Sequence, residues 1–322
     1  MILPKFELYR PRSVDEALGI ARGLPGDFDY VAGGTDLLQN YKNRLNAKPH
    51  VISLTDIEEM KTVSPTRIGG LVRLSDLEGH PLIRKRYPAI VQAASQVASP
   101  LVRESATVGG NILVETRCFY FNQTFFWRQA KGFCLKADGD VCLVVPQKEI
   151  CYATYSGDIA PVLLVLDASF VLRGLEEDRT IRAREFFQPD GIRKHVMKKG
   201  EIITHIEIPE ESADLRAAYQ KLRLRDSFDY PVLGVAAAVR RQNGVVDDMS
   251  IVVNAVSWTP LLFDEVTKGA RGESLTDELI DQISAEIQDR CQPVKNTYLS
   301  PPYRKKMIGV FVKRVLREIA GD

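Results

Sequence analysis

The sequence lacks a surplus of charge of either sign. Its 43 Lys and Arg residues balance 42 Asp and Glu residues, which leaves a formal net charge of +1. Nucleic acids and anionic membranes attract proteins that carry a broad positive field, so we expect neither as a partner. The chain also lacks an apolar run of about 18 residues and the basic and apolar regions of a signal peptide. We therefore expect a cytoplasmic location.

Sequence motifs of several common catalytic and nucleotide sites are missing as well. No G-x-G-x-x-G follows a predicted strand and no G-x-x-x-x-G-K-[ST] occurs, so neither a Rossmann site nor a P-loop is predicted. The four histidines have no H-E-x-x-H spacing, and there is no G-x-S-x-G elbow. These absences disfavour a zinc hydrolase and a side-chain nucleophile. Any nucleotide must be held in another way.

Two glycine pairs follow apolar segments. The predicted strand 30–32 runs into Gly33 and Gly34, which precede a predicted helix start, and a tight turn is predicted at Gly109 and Gly110. Paired glycines let backbone N–H groups approach a charged ligand, and such groups at a helix start stabilise phosphate. A single Gly-Gly pair is more typical of a β-turn. Two pairs with flanking polar residues suggest a two-sided phosphate clamp.

Polar side chains accompany these turns. Asp36, Asn111 and Asp158 are suited to bond a ribose or to order the turns, and Lys221 is suited to approach the ligand from a second domain. For each of them alone, a local capping or turn role is the more common one.

Four of the five cysteines lie between the second glycine pair and Asp158. They are Cys118, Cys134, Cys142 and Cys151, separated by about 16, 8 and 9 positions, without C-x-x-C spacing. Their segment is rich in aromatic residues and shows little helical or strand periodicity. Long loops of this kind are functional or disordered, and aromatic residues argue against disorder. The fifth cysteine, Cys291, falls in a predicted helix, where we expect simple packing.

Reducing conditions in the cytosol favour metal binding or catalysis over disulfides for such a cluster. Thiolates suit zinc or an iron–sulfur cluster, so both remain open on the residues alone, as do unligated thiols. The missing C-x-x-C pairs and the surrounding aromatic residues favour an iron–sulfur cluster.

The second part of the chain has a simpler pattern. A polar, proline-led break at 209–214 precedes three predicted antiparallel strands at 218–224, 233–240 and 245–257. Two predicted helices, 276–291 and 303–319, follow them. This order indicates an α+β domain that begins near the break.

Taken together, the segments 32–37, 98–100 with Arg103, 106–111 and 157–161 resemble the FAD-binding subunit of the molybdenum hydroxylases, the xanthine dehydrogenase and carbon monoxide dehydrogenase group. The similarity covers nearly the whole chain. It implies an α+β fold with a two-part FAD-binding domain of the vanillyl-alcohol-oxidase (PCMH) type at 1–213. A small C-terminal α+β domain of three antiparallel strands and helices would follow at 214–322.

The resemblance also implies the contacts to FAD. Segments 31–37 and 107–111 would line the pyrophosphate, Asp158 would lie near the nucleotide end, and Ile203 and Lys221 would touch the flavin. The complete predicted FAD set is Val31, Ala32, Gly33, Gly34, Thr35, Asp36, Leu37, Thr107, Val108, Gly109, Gly110, Asn111, Asp158, Ile203 and Lys221.

Most members of this family pass from the Gly-Gly-Asn segment to the aspartate within about ten residues. Here about forty residues intervene. The insertion, at about 115–155, resembles that of the beta subunit of 4-hydroxybenzoyl-CoA reductases, in which this loop holds an additional [4Fe-4S] cluster. The resemblance therefore implies Cys118, Cys134, Cys142 and Cys151 as its ligands.

The function implied is that of an oxidoreductase subunit that transfers electrons between FAD and clusters and contributes no catalytic residue itself. Its implied partners are a molybdopterin-containing large subunit, a [2Fe-2S] small subunit and a low-potential donor such as ferredoxin. The partner would reduce 4-hydroxybenzoyl-CoA to benzoyl-CoA. Two alternatives stay open: the FAD subunit of a xanthine- or CO-dehydrogenase-type hydroxylase, and a non-redox subunit whose loop is stapled to a docking surface by zinc.

Overall fold

The computed structural model describes residues 2–24 and 26–321, so Met1, Pro25 and Asp322 lie outside the described residues. Besides the 3₁₀ helices Glu58–Lys61 and Glu210–Asp214, the chain forms α-helices and β-strands. In chain order these are β1 (Glu7–Tyr9), α1 (Val14–Arg22), β2 (Phe28–Val31), α2 (Leu37–Lys42), β3 (His50–Ser53), β4 (Val63–Ser64), β5 (Arg67–Gly69), α3 (Leu74–Gly79), α4 (Pro81–Arg86), α5 (Pro88–Ser95), α6 (Pro100–Arg103), α7 (Val108–Ile112), α8 (Phe125–Ala130), α9 (Ile159–Val165), β6 (Ser169–Arg173), β7 (Arg179–Arg182), α10 (Ala183–Phe186), β8 (Ile202–Glu207), β9 (Arg216–Leu222), β10 (Leu233–Gln242), β11 (Val245–Asn254), β12 (Leu261–Leu262), α11 (Asp264–Lys268), α12 (Asp277–Arg290) and α13 (Pro301–Gly321).

A small parallel sheet, in the order β1-β3-β2, begins the chain. Helix α1 packs on it and is capped at its start: the Ser13 hydroxyl accepts the Glu16 N–H, and the Glu16 carboxylate accepts the Arg12 N–H. Strand β2 ends at Val31, and the chain passes from there through the glycine pair into α2. The sheet thus places the segment 33–37 beyond the carboxyl end of a strand.

The second part is an antiparallel sheet in the order β4-β5-β8-β6-β7, covered by helices α3, α5, α7 and α9. Every residue of α9 is buried, which explains its unbroken apolar sequence. Helix α9 starts directly after Asp158, so the burial of this helix fixes the position of that carboxylate.

The C-terminal sheet has four strands in the order β12-β11-β10-β9. The prediction of three strands missed β12, which has only two residues. Alternate residues of β10 point to opposite faces: Val235 and Ala237 pack with α12 and α13, whereas Ala236 and Ala238 join the core under α5 and α9. The hydrophobic core is therefore continuous across the segment 209–214, and the domain boundary between 213 and 214 remains a prediction.

The insertion, residues 115–155, is closed at its base by two backbone hydrogen bonds between Arg117 and Thr154, of 2.9 and 2.8 Å. It was predicted to be without regular structure, but it contains the short helix α8, whose first turn is capped by the Thr124 hydroxyl. Among the helices of the described chain, none combines the length and the apolar character needed to cross a membrane.

Candidate functional site

A cavity of about 1160 Å³ lies where the parallel sheet, the antiparallel sheet and the loop between β9 and β10 meet. Most residues of the predicted FAD set line it, and two do not: Val108 is buried in the core, and Lys221 lies behind Asp158. The members that line it are Val31, Ala32, Gly33, Gly34, Thr35, Asp36, Leu37, Thr107, Gly109, Gly110, Asn111, Asp158 and Ile203.

The segment 33–37, called here the glycine segment, faces this cavity with its backbone. Within the described part of the chain, none of its five N–H groups has a hydrogen-bond acceptor. Gly34 has a φ of +70°, a conformation that side chains disfavour. Gly33 passes so close to Ser105 that a Cβ would lie 2.5 Å from the Ser105 carbonyl carbon. Consecutive free N–H groups of this kind form a concave anion site.

The second glycine pair behaves differently. The predicted tight turn is wrong, because Gly109 and Gly110 belong to the helix α7, capped by the Thr107 hydroxyl. The Gly109 N–H donates to the Gly70 carbonyl at 2.8 Å, and the Gly110 N–H donates to Thr107 Oγ1 at 3.1 Å. These two N–H groups are therefore used within the chain, and the pair contributes a smooth wall. A phosphate clamp with free backbone donors on both sides is not what the structure contains.

Asp36 was predicted either to bond a ribose or to order a turn. Its carboxylate does not cap α2. It accepts the Glu115 N–H at 3.0 Å, the Arg117 guanidinium and, at 3.4 Å, the Tyr230 hydroxyl. Asp36 therefore joins the glycine segment to the base of the insertion and to the loop between β9 and β10.

Asn111 and Asp158 hold the opposite wall. The Asn111 side-chain oxygen accepts the Ile159 N–H at 3.0 Å, which orders the start of α9. Asp158 Oδ2 lies 3.1 Å from Lys221 Nζ, and Asp158 Oδ1 accepts the Tyr219 hydroxyl at 2.7 Å. Burial raises the pKa of Asp158 and lowers the pKa of Lys221, while their mutual attraction opposes both shifts. Lys221 thus positions the carboxylate.

Sequence reasoning missed several residues of this cavity. Thr154 and Ser156 are buried and line it, and within the described residues their hydroxyl oxygens have no hydrogen-bond partner. Phe228 and Tyr230 line it from the loop between β9 and β10. The sequence signal for this loop is a pair of aromatic residues on either side of Asp229. Buried unpaired hydroxyls at a cavity wall indicate a polar ligand.

The four cysteines of the insertion surround a second, much smaller cavity. All four are buried, and Cys118 also lines the large cavity. Burial raises the pKa of the Cys118 thiol to about 11 and that of Cys151 to about 12. Folding thus brings together residues separated by as many as 33 positions, and it places one of them in the wall between the two cavities.

The chemistry of this donor set fits an iron–sulfur cluster, because four thiols face one enclosed, largely apolar space. The open centre is small, about 10 Å³. Among residues 2–24 and 26–321, no three His, Cys, Asp or Glu side chains converge on a point where a single metal ion would be bound.

Comparisons with known proteins agree with this architecture. A family model described as "FAD binding domain in molybdopterin dehydrogenase" matches residues 4–211, and one described as "CO dehydrogenase flavoprotein C-terminal domain" matches residues 217–319. The aldehyde oxidoreductase FAD-binding subunit PaoB of Escherichia coli is 32% identical over 248 residues, 73% of this chain and 77% of that protein.

Other relatives match over nearly their whole length. The carbon monoxide dehydrogenase medium chain of Hydrogenophaga pseudoflava is 27% identical over 98% of this chain and 97% of its own. A solved structure of carbon monoxide dehydrogenase from that organism superposes with a TM-score of 0.78 at 26% identity, covering 98% of both chains. These matches confirm the predicted fold, a FAD-binding domain followed by a C-terminal α+β domain. The chain belongs to the FAD-binding subunits of the molybdenum hydroxylase family, and it is an oxidoreductase subunit.

Proposed function

We propose that this chain is the electron-transfer subunit, with FAD and a [4Fe-4S] cluster, of a molybdenum-containing 4-hydroxybenzoyl-CoA reductase. It would pass electrons from a low-potential donor such as ferredoxin toward a [2Fe-2S] small subunit and a molybdopterin-containing large subunit in the cytoplasm. Reductive removal of the phenolic hydroxyl, which gives benzoyl-CoA, would take place on the large subunit. The observation that carries the proposal is the burial of four cysteines around one small cavity. One of them, Cys118, also lines the large cavity.

The residues of the large cavity have separable tasks toward FAD. The free N–H groups of the glycine segment would bond the pyrophosphate, and the Gly109–Gly110 wall would allow it to approach closely. The unpaired hydroxyls of Thr154 and Ser156 would accept or donate hydrogen bonds to polar flavin or ribityl groups. FAD supplies the chemistry of taking up two electrons and releasing them singly. The chain binds it, orients it and keeps it close to the cysteines.

The insertion would hold the cluster. Cys118, Cys134, Cys142 and Cys151 would lose their protons on ligation, because the thiolate is the metal ligand. Burial keeps the unligated thiols of Cys118 and Cys151 protonated, since it raises their pKa values well above neutrality. Loading of this site should therefore release protons.

A second candidate, the FAD subunit of a xanthine- or carbon-monoxide-type hydroxylase, is favoured by the names of the relatives. They include carbon monoxide dehydrogenase medium chains and a xanthine dehydrogenase FAD-binding subunit. This candidate has the same two partner subunits, but it predicts FAD without iron in this chain. A non-redox subunit with a zinc-stapled loop is the third outcome.

Cofactor analysis of the full chain, purified without oxygen, tests these candidates. The proposal predicts about one FAD and about four iron atoms per chain, with a cluster signal in the EPR spectrum after reduction. One FAD without iron would overturn the proposal and support the hydroxylase. One zinc ion without iron would overturn the proposal and support the non-redox subunit whose loop is held by zinc.

A pair of cysteine variants locates the iron. Cys134→Ser should remove the iron and leave FAD bound, because Cys134 lines only the small cavity. Cys291→Ser is the matched control: Cys291 is also buried, but it packs among the residues under α12 and α13. Unchanged iron content in Cys134→Ser would contradict the assignment.

The substrate class needs the assembled complex. Chains co-purified with their molybdenum subunit should reduce 4-hydroxybenzoyl-CoA with a reduced viologen dye as donor. If instead the complex oxidises xanthine or carbon monoxide and its FAD subunit holds iron, the proposed cluster is supported and the proposed substrate is wrong.

A further inference from the structure

A buried lysine lines the small cavity between the four cysteines. Lys136 lies two positions after Cys134, and only 4% of its side chain is exposed. Its ammonium group donates to Glu115 Oε1 at 2.8 Å, to the Gly191 carbonyl at 2.6 Å and to the carbonyl and hydroxyl of Thr116. It also lies 4.8 Å from the centroid of the Phe121 ring, which lines the same cavity. Its position is thus fixed from several sides.

The carboxylate that binds Lys136 is shared with a second lysine. Lys194 Nζ lies 3.2 Å from Glu115 Oε1 and donates to the carbonyls of Leu113 and Val114 at 3.0 and 3.2 Å. Lys194 and Glu115 line the large cavity proposed to hold FAD, whereas Lys136 lines the small cavity between the four cysteines. One carboxylate thus binds two lysines at the boundary between the two cavities.

We propose that Lys136 is a positioning residue for the cluster that compensates the negative charge of the ligated thiolates and raises the reduction potential of the cluster. The inference rests on the proposed function. A cluster with four thiolate ligands is anionic, and its negative charge grows by one when it accepts an electron. A fixed cation in a region of low dielectric stabilises the reduced form more than the oxidised form. Charge near a cluster is among the factors that set its potential.

The geometry separates this role from general surface charge. Lys131 belongs to the same insertion and lies against Trp127, but it is exposed, so water screens its charge. The two lysines therefore form a matched pair, one in the cavity wall and one on the surface of the same segment.

The test is a redox titration of the full chain, purified without oxygen, with dithionite as the reductant and the EPR signal as readout. In it the cluster gains one electron from dithionite. Lys136→Met should keep its iron and shift the ratio of oxidised to reduced cluster at a given potential by about tenfold toward the oxidised form, or ~59 mV for one electron. Lys136→Arg and Lys131→Met should titrate like the wild type.

Each possible result either supports or overturns the proposed role of Lys136. Lys136→Met with full iron and a wild-type potential overturns the inference. If Lys136→Met and Lys136→Gln both fail to retain iron while Lys136→Arg retains it, a cation is required and the inference is supported. If Lys136→Arg also loses iron, the role is steric and the inference is overturned. Absence of iron from the wild-type protein is a different result, because it refutes the proposed function.

Discussion

A single methyl group at Gly33 should disrupt the flavin site. A Cβ at this position would lie 2.5 Å from the carbonyl carbon of Ser105 and closer still to its oxygen. Ordinary contacts between carbon atoms are about 3.5–4.0 Å, so the two segments must separate by about 1 Å or more. The neighbouring backbone resists this, because Ala106 donates its N–H to Val102 and accepts the N–H of Leu74. The glycine segment must therefore move into the cavity.

Two measurable losses follow for Gly33→Ala. Overpacking of this kind costs about 1–3 kcal/mol of stability. In the proposed binding mode, displacement of the glycine segment would also remove one or more hydrogen bonds to a charged pyrophosphate, each worth about 1.5–3 kcal/mol, so FAD binding should weaken by about 10- to 150-fold for one lost bond. Fluorescence titration of the FAD-free protein measures the affinity, and urea unfolding measures the stability.

The control for this experiment is Gly19→Ala. Gly19 lies inside α1, and a Cβ there would meet no atom within 4 Å. This variant should bind FAD normally and gain up to about 1 kcal/mol of stability, because alanine is the better helix former. Wild-type FAD affinity in Gly33→Ala would refute the argument that the close approach to Ser105 shapes the pyrophosphate site.

Three further predictions concern buried charged and titratable groups. Lys221→Met leaves Asp158 without its cation, so the free energy of unfolding in urea should fall by about 3–5 kcal/mol, and adding Asp158→Asn should restore much of it; wild-type stability in the single variant would refute the pairing. Burial lowers the pKa of His195 to about 4, so the unfolded chain binds more protons and stability should rise from about pH 4 to about pH 6.5. His195→Phe should flatten that rise, and unfolding curves with the same pH slope in both proteins would contradict this. Arg304→Met removes the hydrogen bonds that a buried guanidinium donates to the carbonyl oxygens of Val232 and Ala255, and it should cost about 3 kcal/mol or more in the same unfolding assay, whereas Arg314→Met, at an exposed position of the same helix, should cost little; equal losses would refute the role of these bonds.

Local sequence patterns predicted the elements whose structure is set locally. The spacing of Ser13 and Glu16 is typical of a helix start and predicts α1, and apolar periodicity predicted the helices 276–291 and 303–319, which are α12 and α13. The predicted strands 218–224, 233–240 and 245–257 correspond to β9, β10 and β11. Helix α7 was missed, because two adjacent glycines favour a turn in isolation. Its N–H groups bond Val72 and Gly70, and these distant partners overcome the low helix propensity of glycine.

The site itself was predictable in part. The glycine pair after β2 predicted the glycine segment, whereas the close approach of Gly33 to Ser105 is a distant contact that no local pattern contains. The second role of Asp36, as an anchor for Arg117, depends on a contact between residues 81 positions apart, and no local pattern contains it. The same holds for Thr154 and Ser156, whose hydroxyls matter only because folding buries them beside the cavity.

The insertion illustrates why a long loop can be added to this family's fold. Closing it costs only about 1 kcal/mol of extra loop entropy, since each doubling of length adds about 0.6 kcal/mol. Hydrogen bonds that need no metal offset this cost. Arg117 binds Asp36 and Asn40 at the base of the insertion, and the buried Arg128 of α8 donates to the carbonyls of Asn43 and Arg44. Because these contacts fasten the insertion independently of its cysteines, loss of the proposed cluster should leave the large cavity intact. The proposed cluster site can therefore be removed without removing the FAD site.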